Sequence, residues 1–260
     1  MQMNTSEKIL SIQNLSVSYG QEDVVSNVSF DMKKGDILCI VGESGSGKST
    51  LIKSIHGLEN AQCTKGKMVL FGQEMKKNAQ RRDLMGKEIG LIPQNPGGSF
   101  NPLRTFEKQF REAFNGNGME YRRDKLISIF QKVGLKDGEL ILKSRPYEMS
   151  GGMNQRIAVA FAFAMEPKLL LCDEATSALD VTTSQLVLDE LLKLRKEHDT
   201  AILMVTHHLG VAKTMADYVA IMKDGEMIEY GDTDSIFASP QCQYTKNLIQ
   251  DVPKIKQRDD

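Results

Sequence analysis

The hydrophobic and polar positions of the chain change their spacing several times, and each change predicts a different kind of element. Apolar and polar residues alternate over residues 9–32, with a turn near Gly20 to Asp23, which predicts two or three half-exposed strands. Short, continuously apolar runs follow at residues 37–41, 89–92, 169–172 and 201–205. Polar or small residues and then a helix-like stretch come after each run, so the runs predict buried strands of a parallel α/β core.

The interval from Pro102 to Ser144 has helical spacing instead, with Phe106, Phe110 and Phe114 four residues apart. This spacing predicts a helical insert of about 40 residues. Asn and Gly alternate at residues 115–118, which predicts a break between two of its helices. Beyond residue 217 the pattern predicts two strands joined by a turn at Asp224 and Gly225, and then a short helix around residues 244–249.

Composition narrows the class of protein. The chain has 260 residues, of which 40% are hydrophobic and 26% charged, so we expect a globular protein rather than a disordered chain or a coiled coil. Its 33 basic and 34 acidic side chains nearly cancel, which removes the bulk electrostatic argument for a nucleic-acid partner. The four scattered cysteines include no C-x-x-C pair, which favours a reducing compartment. No apolar stretch has the length of a signal peptide or a membrane span, so we expect other chains to hold this one at any membrane.

The strongest chemical signal is a phosphate-binding loop at residues 42–50, where G-E-S-G-S-G-K-S-T matches the full G-x-x-x-x-G-K-[ST] motif between a predicted strand and a helix. Such a loop wraps successive backbone N–H groups around an anion at a helix N-terminus. We expect Lys48 to reach the outer phosphates of a nucleoside triphosphate and the Ser49 hydroxyl to bind Mg²⁺. The predicted nucleotide-binding residues of this loop are Gly42, Glu43, Ser44, Gly45, Ser46, Gly47, Lys48, Ser49 and Thr50.

Two adjacent carboxylates provide candidate residues for metal binding and for activation of water. The apolar run 169–172 ends in Asp173 and Glu174, at the edge of the sheet where α/β proteins place their ligands. We expect Asp173 to hold Mg²⁺ and Glu174 to polarise the attacking water.

A second glycine-containing loop precedes another predicted helix. Ser150, Gly151 and Gly152 lie just before the apolar stretch 157–165, so they form another exposed helix N-terminus that suits phosphate. One compact chain cannot easily surround a single ATP with both loops. We therefore predict that this loop caps a nucleotide held by another copy.

In this order and combination, the motifs resemble the nucleotide-binding subunit of an ABC transporter over nearly the whole chain. The resemblance implies an α/β fold: a P-loop NTPase core with a mixed, largely parallel sheet, an N-terminal antiparallel β subdomain and an inserted helical subdomain. It implies one nucleotide-binding domain over residues 1–250, with the helical subdomain at about 97–160 and a charged tail at 251–260.

The resemblance also implies roles for residues outside the two loops. Tyr19 corresponds to the aromatic residue that stacks on adenine, and Gln94 to the glutamine that touches Mg²⁺ and links nucleotide state to the membrane subunits. Residues 149–153 correspond to the signature loop, 177–180 to the D-loop, and His207 to the switch histidine at the γ-phosphate. The implied catalytic residues are Glu174, His207, Gln94 and Lys48. The implied metal ligands are Ser49, Gln94 and Asp173.

A narrower likeness points to the peptide/nickel importer ATPases. Residues 94–102 (Q-N-P-G-G-S-F-N-P), Met153 in the signature loop and the segment 239–246 resemble that group, although Cys242 and Gln243 replace its usual His and Pro. Ala175 and His208 also depart from the commonest residues, and neither departure removes a group that touches ATP. His56 and His198 belong to no motif, and we expect both at the surface or at helix ends.

The implied function is that of an ATP-hydrolysing subunit on the cytoplasmic face of the membrane, which powers import of a peptide, nickel or a metal chelate. Its implied partners are a second, non-identical ABC ATPase, two permease subunits that dock at residues 94–106, and an extracytoplasmic substrate-binding protein, with no nucleic acid. A soluble ABC ATPase of DNA repair or translation is the alternative, but its usual fused nucleotide domains, long coiled-coil inserts and zinc cysteines are not seen in the sequence. A non-catalytic nucleotide-binding module is disfavoured by the intact Lys48, Asp173, Glu174 and His207.

Overall fold

The computed structural model describes residues 7–20, 22–58 and 61–250, so the predicted tail at 251–260 lies outside the described residues. The strands are β1 (Lys8–Tyr19), β2 (Glu22–Lys33), β3 (Ile37–Val41), β4 (Gln62–Leu70), β5 (Gln73–Glu74), β6 (Ile89–Ile92), β7 (Leu169–Asp173), β8 (Ala201–Thr206), β9 (Tyr218–Lys223) and β10 (Glu226–Asp232). The helices are α1 (Lys48–His56), α2 (Asn78–Arg82), α3 (Phe106–Gly116), α4 (Arg123–Lys132), α5 (Gly138–Lys143), α6 (Gly151–Ala164), α7 (Val181–His198), α8 (Leu209–Met215), α9 (Thr233–Ala238) and α10 (Gln243–Gln250). None of these helices is both long and apolar enough to cross a membrane.

The strands form two sheets. One is antiparallel, in the order β2-β1-β4-β5, and the other has the order β10-β9-β3-β8-β7-β6. In the second sheet all neighbours are parallel except β10 and β9. The four apolar runs are β3, β6, β7 and β8, so the predicted parallel α/β core is confirmed.

The parallel sheet has a hydrophobic core on each face. Side chains of β3 alternate between the two: Ile37 and Cys39 belong to the core that includes the helical insert, and Leu38 and Ile40 to the core shared with the antiparallel sheet. Every residue of β3 is buried, as continuous apolar runs require when both faces are covered.

The antiparallel sheet departs from strict alternation. Asn14 and Asn27 have left-handed backbones (φ 48° and 51°), and the register between β1 and β2 shifts beside Asn14. Their side chains hydrogen-bond to each other across the pair at 2.8 Å. Such a bulge inserts residues into the pairing and lets β1 bury most of its length.

The helical insert is present as α3, α4 and α5, and aromatic rings fasten it to α6. The ring of Phe110 stacks on Phe161 of α6 at 4.5 Å between centroids, and Phe114 meets the same ring edge-on at 6.0 Å. The phenylalanines that suggested helical spacing therefore form the interior of this region, and α6 carries the predicted signature loop at its N-terminus.

The C-terminal part contains the expected strands β9 and β10, joined by a turn at Asp224 and Gly225, and the expected helix α10. Helix α9, which the sequence pattern did not reveal, lies between β10 and α10. It begins at an Asp232 side chain that accepts the Ser235 backbone N–H at 2.9 Å.

Candidate nucleotide-binding site

The candidate site lies where four neighbouring parallel strands end. In sheet order, β3 is followed by the phosphate-binding loop, β8 by His207, β7 ends in Asp173 and is followed by Glu174, and β6 is followed two residues later by Gln94. The carboxyl ends of parallel strands meet at one edge of a sheet. Residues that are far apart in the sequence therefore reach the same place.

Lys48 is folded back into its own loop. Its Nζ donates hydrogen bonds to the carbonyl oxygens of Gly42 (2.8 Å) and Glu43 (2.6 Å) and to Ser46 Oγ (3.2 Å). Burial lowers the pKa of Lys48, and the nearby carboxylates of Glu174 and Asp173 act in the opposite direction. The loop thus holds a buried cation in place by its own oxygens.

The start of α1 is open to an anion. Its N-cap is Gly47, which has a left-handed backbone (φ 95°), and no side chain of the described residues caps the first turn. The free N–H groups of a first turn, together with the helix dipole, attract negative charge. Gly42 is needed for a different reason, because a Cβ there would lie 2.1 Å from the Met222 carbonyl oxygen.

Ser49 and Asp173 lie side by side. The Ser49 hydroxyl donates to Asp173 Oδ1 at 2.8 Å, and only 6% of Asp173 is exposed. Burial raises the pKa of Asp173, as does the neighbouring Glu174, while the Ser49 hydrogen bond and nearby lysines lower it.

This pair fits Mg²⁺, which binds hard oxygen ligands and commonly takes one or two from the protein and the rest from water and phosphates. Among the described residues no group of three or more His, Cys, Asp or Glu side chains could hold a metal. An ion bound by Ser49 and Asp173 can take its remaining oxygens from water and phosphates.

Glu174 is held from two sides. Its carboxylate accepts Gln94 Nε2 at 2.9 Å through one oxygen, and its other oxygen lies 3.4 Å from His207 Nδ1. Its backbone has a positive φ of 51°, which is strained for a residue with a side chain, and its N–H donates to the Val205 carbonyl at 3.0 Å. The structure thus brings three predicted catalytic residues together, and a carboxylate fixed in this way can accept a proton from water.

The second glycine-containing loop lies elsewhere. Ser150 is the N-cap of α6, and its hydroxyl accepts the Met153 backbone N–H at 3.2 Å, while Gly151 is exposed. A Cβ at Gly152 would lie 3.6 Å from the Ala178 carbonyl oxygen, so this loop borders the segment 177–180. Within the described residues, no hydrogen bond or ion pair joins residues 149–153 to residues 42–50.

Tyr19 lies at the end of β1 and is 37% exposed. It lines an open cavity of about 600 Å³ together with Lys53 and Leu58. Its contact with adenine stays a prediction.

Sequence reasoning did not predict the contact between Tyr244 and the phosphate-binding loop. The backbone N–H of Glu43 donates to the Tyr244 hydroxyl at 3.2 Å, across 201 positions of sequence. No local motif signals such a long-range contact, although Tyr244 lies in the segment 239–246 that the narrower resemblance singled out.

Comparison with known proteins agrees with this geometry. The family model described as ABC transporter matches residues 25–177. The dipeptide transport ATP-binding protein DppD of Bacillus subtilis is 38% identical over 261 residues, covering 96% of this chain and 78% of that protein. The metal-staphylopine import system ATP-binding protein CntD of Staphylococcus aureus is 36% identical over 255 residues, covering 95% of this chain and 94% of that protein. A solved dimeric ATP-binding cassette in a post-hydrolysis state, bound to ADP and Pi, matches with a TM-score of 0.76 and 26% identity, covering 86% of this chain and 98% of that chain.

Proposed function

The chain belongs to the ABC transporter family, and from this premise we propose that it hydrolyses ATP to power import of a peptide, nickel or a metal chelate through separate membrane subunits. The observation that carries the proposal is the alignment of three sets of functional side chains along neighbouring strand ends. The buried Lys48, the Ser49–Asp173 pair and the Gln94–Glu174–His207 group lie along one edge of the sheet.

In this proposal the loop at 42–50 binds the phosphates of ATP through its backbone N–H groups and Lys48, and Tyr19 stacks on the adenine. Ser49, Asp173 and Gln94 hold Mg²⁺. When bound, Mg²⁺ neutralises charge that develops on the phosphate oxygens.

Glu174 serves as the general base. As the oxygen of the attacking water bonds to the γ-phosphorus, the carboxylate accepts the proton of that water and ADP leaves with the electrons of the broken bond. Gln94 and His207 hold the carboxylate in place, and His207 also contacts the γ-phosphate.

A second ATPase chain completes the site. The exposed N-terminus of α6, with Ser150, Gly151 and Gly152, contacts the ATP held by the partner's phosphate-binding loop, and the partner's loop does the same in return. The anion then bridges helix termini from two chains, so ATP favours the closed pair and hydrolysis releases it.

The other partners are two permease subunits and an extracytoplasmic substrate-binding protein, which place this chain at the cytoplasmic face of the membrane. We assign one nucleotide-binding domain to residues 1–250, with its helical subdomain at about 97–160. The permeases dock at residues 94–106, where the apolar side chain of Leu103 is 80% exposed and available for burial against a partner.

The test of the catalytic assignment is Glu174→Gln in the assembled transporter. The amide keeps the shape of the side chain but cannot accept the proton, so we expect ATP hydrolysis to fall by about 100-fold or more. ATP binding persists, and ATP-dependent association of the two ATPases becomes long-lived, as size-exclusion chromatography with ATP and Mg²⁺ would measure. Glu226→Gln, an exposed change at the start of β10, is the control. Undiminished hydrolysis in Glu174→Gln contradicts the role of this residue.

The docking surface is tested by crosslinking from an introduced cysteine. In a chain whose exposed Cys63 is replaced by serine, we expect Leu103→Cys to crosslink to a permease subunit, while Asp234→Cys on α9 does not. Crosslinks from positions within 217–250 alone, with none from Leu103→Cys, would refute docking at 94–106.

A further inference from the structure

The C-terminal segment 239–250 is anchored to the sheet by one carboxylate. Glu229 of β10 accepts the backbone N–H of Gln241 at 2.8 Å through Oε1, and through Oε2 it accepts the backbone N–H of Cys242 at 3.3 Å and the hydroxyl of Thr245. Thr245 is fully buried. These hydrogen bonds lower the pKa of Glu229 although burial raises it, so the carboxylate stays charged near neutral pH and fixes the start of α10.

Tyr244, the residue before Thr245 in α10, reaches the phosphate-binding loop. The hydroxyl of Tyr244 accepts the backbone N–H of Glu43 at 3.2 Å. That N–H shares its peptide unit with the carbonyl of Gly42, which accepts Lys48 Nζ at 2.8 Å. A trans peptide is planar, and its N–H and C=O point in opposite directions. Tyr244 and Lys48 therefore hold the same peptide plane from opposite sides.

One further contact ties the C-terminal strands to this loop, and another ties them to Tyr244. The N–H of Gly225, in the turn between β9 and β10, donates to the carbonyl of Ser46 at 3.3 Å. The Lys223 ammonium lies 5.2 Å from the centroid of the Tyr244 ring, which keeps that ring beside the end of β9. The loop is thus supported by elements that follow it by about 180 to 200 residues in the chain.

We propose that Tyr244 is a positioning residue for ATP: by accepting the Glu43 N–H it fixes the Gly42–Glu43 peptide, and through that peptide the place of the Lys48 ammonium, before ATP arrives. This inference rests on the proposed function, in which the loop binds ATP. Without the hydroxyl, the exposed Glu43 N–H turns to water and the peptide plane gains freedom. Binding of ATP must then order the loop, which weakens affinity.

The effect is confined to binding. Tyr244 contacts Glu43 and not the Gln94–Glu174–His207 group, so the chemical step on bound ATP is unchanged. A single neutral hydrogen bond corresponds to roughly a 3- to 10-fold change in an equilibrium constant. The expected signature is a higher dissociation constant and KM for ATP at an unchanged kcat.

The experiment compares Tyr244→Phe with Tyr230→Phe. Each substitution removes one hydroxyl from a C-terminal tyrosine, but the Tyr230 hydroxyl donates to the Asp31 carbonyl at 3.5 Å, on β2. Equilibrium dialysis of the full chain with radiolabelled ATP gives the dissociation constant, and steady-state hydrolysis by the assembled transporter gives KM and kcat. We expect a 3- to 10-fold increase in the dissociation constant and KM for Tyr244→Phe, with kcat within about 2-fold, and no change for Tyr230→Phe.

A double-mutant cycle isolates the contact. Glu43→Pro removes the N–H that Tyr244 accepts, so Tyr244→Phe should have no further effect on ATP affinity in that background. If the Glu43→Pro variant does not fold, the comparison of Tyr244→Phe with Tyr230→Phe tests the inference by itself. An unchanged dissociation constant in Tyr244→Phe, or a lower kcat at an unchanged KM, overturns the inference. Failure of the unaltered chain to bind ATP would instead overturn the proposed function.

Discussion

Helices α1 and α6 both begin at glycine-containing loops, and the two loops differ in the contacts that they make within the chain. At α1, the loop folds around the buried Lys48, and Gly47 leaves the first turn without a capping side chain among the described residues. At α6, the Ser150 hydroxyl already accepts one N–H, and Ser150 and Gly151 face outward. The first loop makes its contacts within one chain, whereas the second is an exposed surface, which we propose contacts the nucleotide of a second chain.

Neighbouring segments also restrain the loop before α1 more than the loop before α6. Met222, Gly225 and Tyr244 contact the loop before α1, so three C-terminal segments restrain it. The loop before α6 rests beside Ala178 and on a helix packed through phenylalanine rings. A restrained loop suits tight binding of phosphate, and an exposed loop suits contacts that form and break in each cycle.

The largest expected effect separates the two loops directly. Lys48→Ala removes the buried cation and should weaken ATP binding by the isolated chain by about 100-fold or more. Gly151→Asp should leave that binding unchanged and still abolish hydrolysis by the assembled pair, because it adds a negative charge where the partner's phosphates approach. A Cβ at Gly151 meets no atom within 4 Å, so the substitution itself fits the fold.

Equilibrium dialysis with ATP and a steady-state hydrolysis assay measure the two effects. Gly116→Asp, at the exposed end of α3, is the matched control, since a Cβ there also meets nothing within 4 Å. If Gly151→Asp weakens ATP binding by the single chain as much as Lys48→Ala does, the two loops serve one site within one chain and the comparison fails.

A smaller effect concerns stability without ligand. Because burial raises the pKa of Asp173, its charged form destabilises the nucleotide-free fold: the stabilising contribution of the acid is complete below the ordinary pKa of about 4 and is lost as the pH rises. Asp173→Asn removes the charge and keeps an oxygen that can accept the Ser49 hydroxyl. At pH 7.5 we expect the thermal midpoint of the nucleotide-free chain to rise by about 2 to 4 °C, with loss of hydrolysis.

Differential scanning calorimetry without and with Mg²⁺ and ATP tests this prediction. The exposed Asp234→Asn serves as the control for removal of one carboxylate. A lower midpoint for ligand-free Asp173→Asn would show that its charge stabilises the empty site.

The smallest expected effect is a pH dependence of stability that arises from His56, at the C-terminal end of α1. His56 is half-buried at this helix end rather than fully exposed, its Nδ1 has no hydrogen-bond partner among the described residues, and burial lowers its pKa. The unfolded chain therefore binds a proton at higher pH than the folded one, so stability is retained above about pH 6.5 and falls as the pH drops below it. Helix α6, whose single ionisable side chain is Arg156, carries no such group.

We expect His56→Leu to reduce the difference between the thermal midpoints at pH 7.5 and pH 5.5 by about 1 to 3 °C. The substitution keeps an uncharged side chain of similar size, and midpoints at pH 7.5 for the variant and the unaltered chain provide the baseline. If the thermal midpoints of both chains fall equally between pH 7.5 and pH 5.5, groups other than His56 cause the acid sensitivity.

The sequence predicts the parts of the fold whose patterns are local. Continuous apolar runs revealed the neighbouring parallel strands β3, β8, β7 and β6, and the motifs that follow them located Lys48, Asp173 and Glu174. Strand β4 was not predicted because residues 62–67 are exposed and do not alternate between apolar and polar side chains. Helix α2 has five residues and α9 six, too short for a helical period to be recognised.

Contacts between distant segments could not be predicted in the same way. The distance between Tyr244 and Glu43 depends on how β9 pairs with β3 and on how Glu229 anchors α10. Neither pairing nor anchoring leaves a periodic signal. The positive φ of Glu174 is also a product of the assembled sheet, since its N–H pairs with Val205 of the neighbouring strand.

The position of β8 determines how late in translation the central part of the sheet can form. This strand lies between β3 and β7 and pairs with both, although residues 201–206 are translated after either neighbour. A nascent chain that lacks them leaves the facing edges of β3 and β7 unpaired, and β8 does not yet join the phosphate-binding loop to the carboxylates at the end of β7. The strand ends that carry Lys48, Asp173 and Glu174 can therefore come together only after β8 has been synthesised, late in translation of the chain.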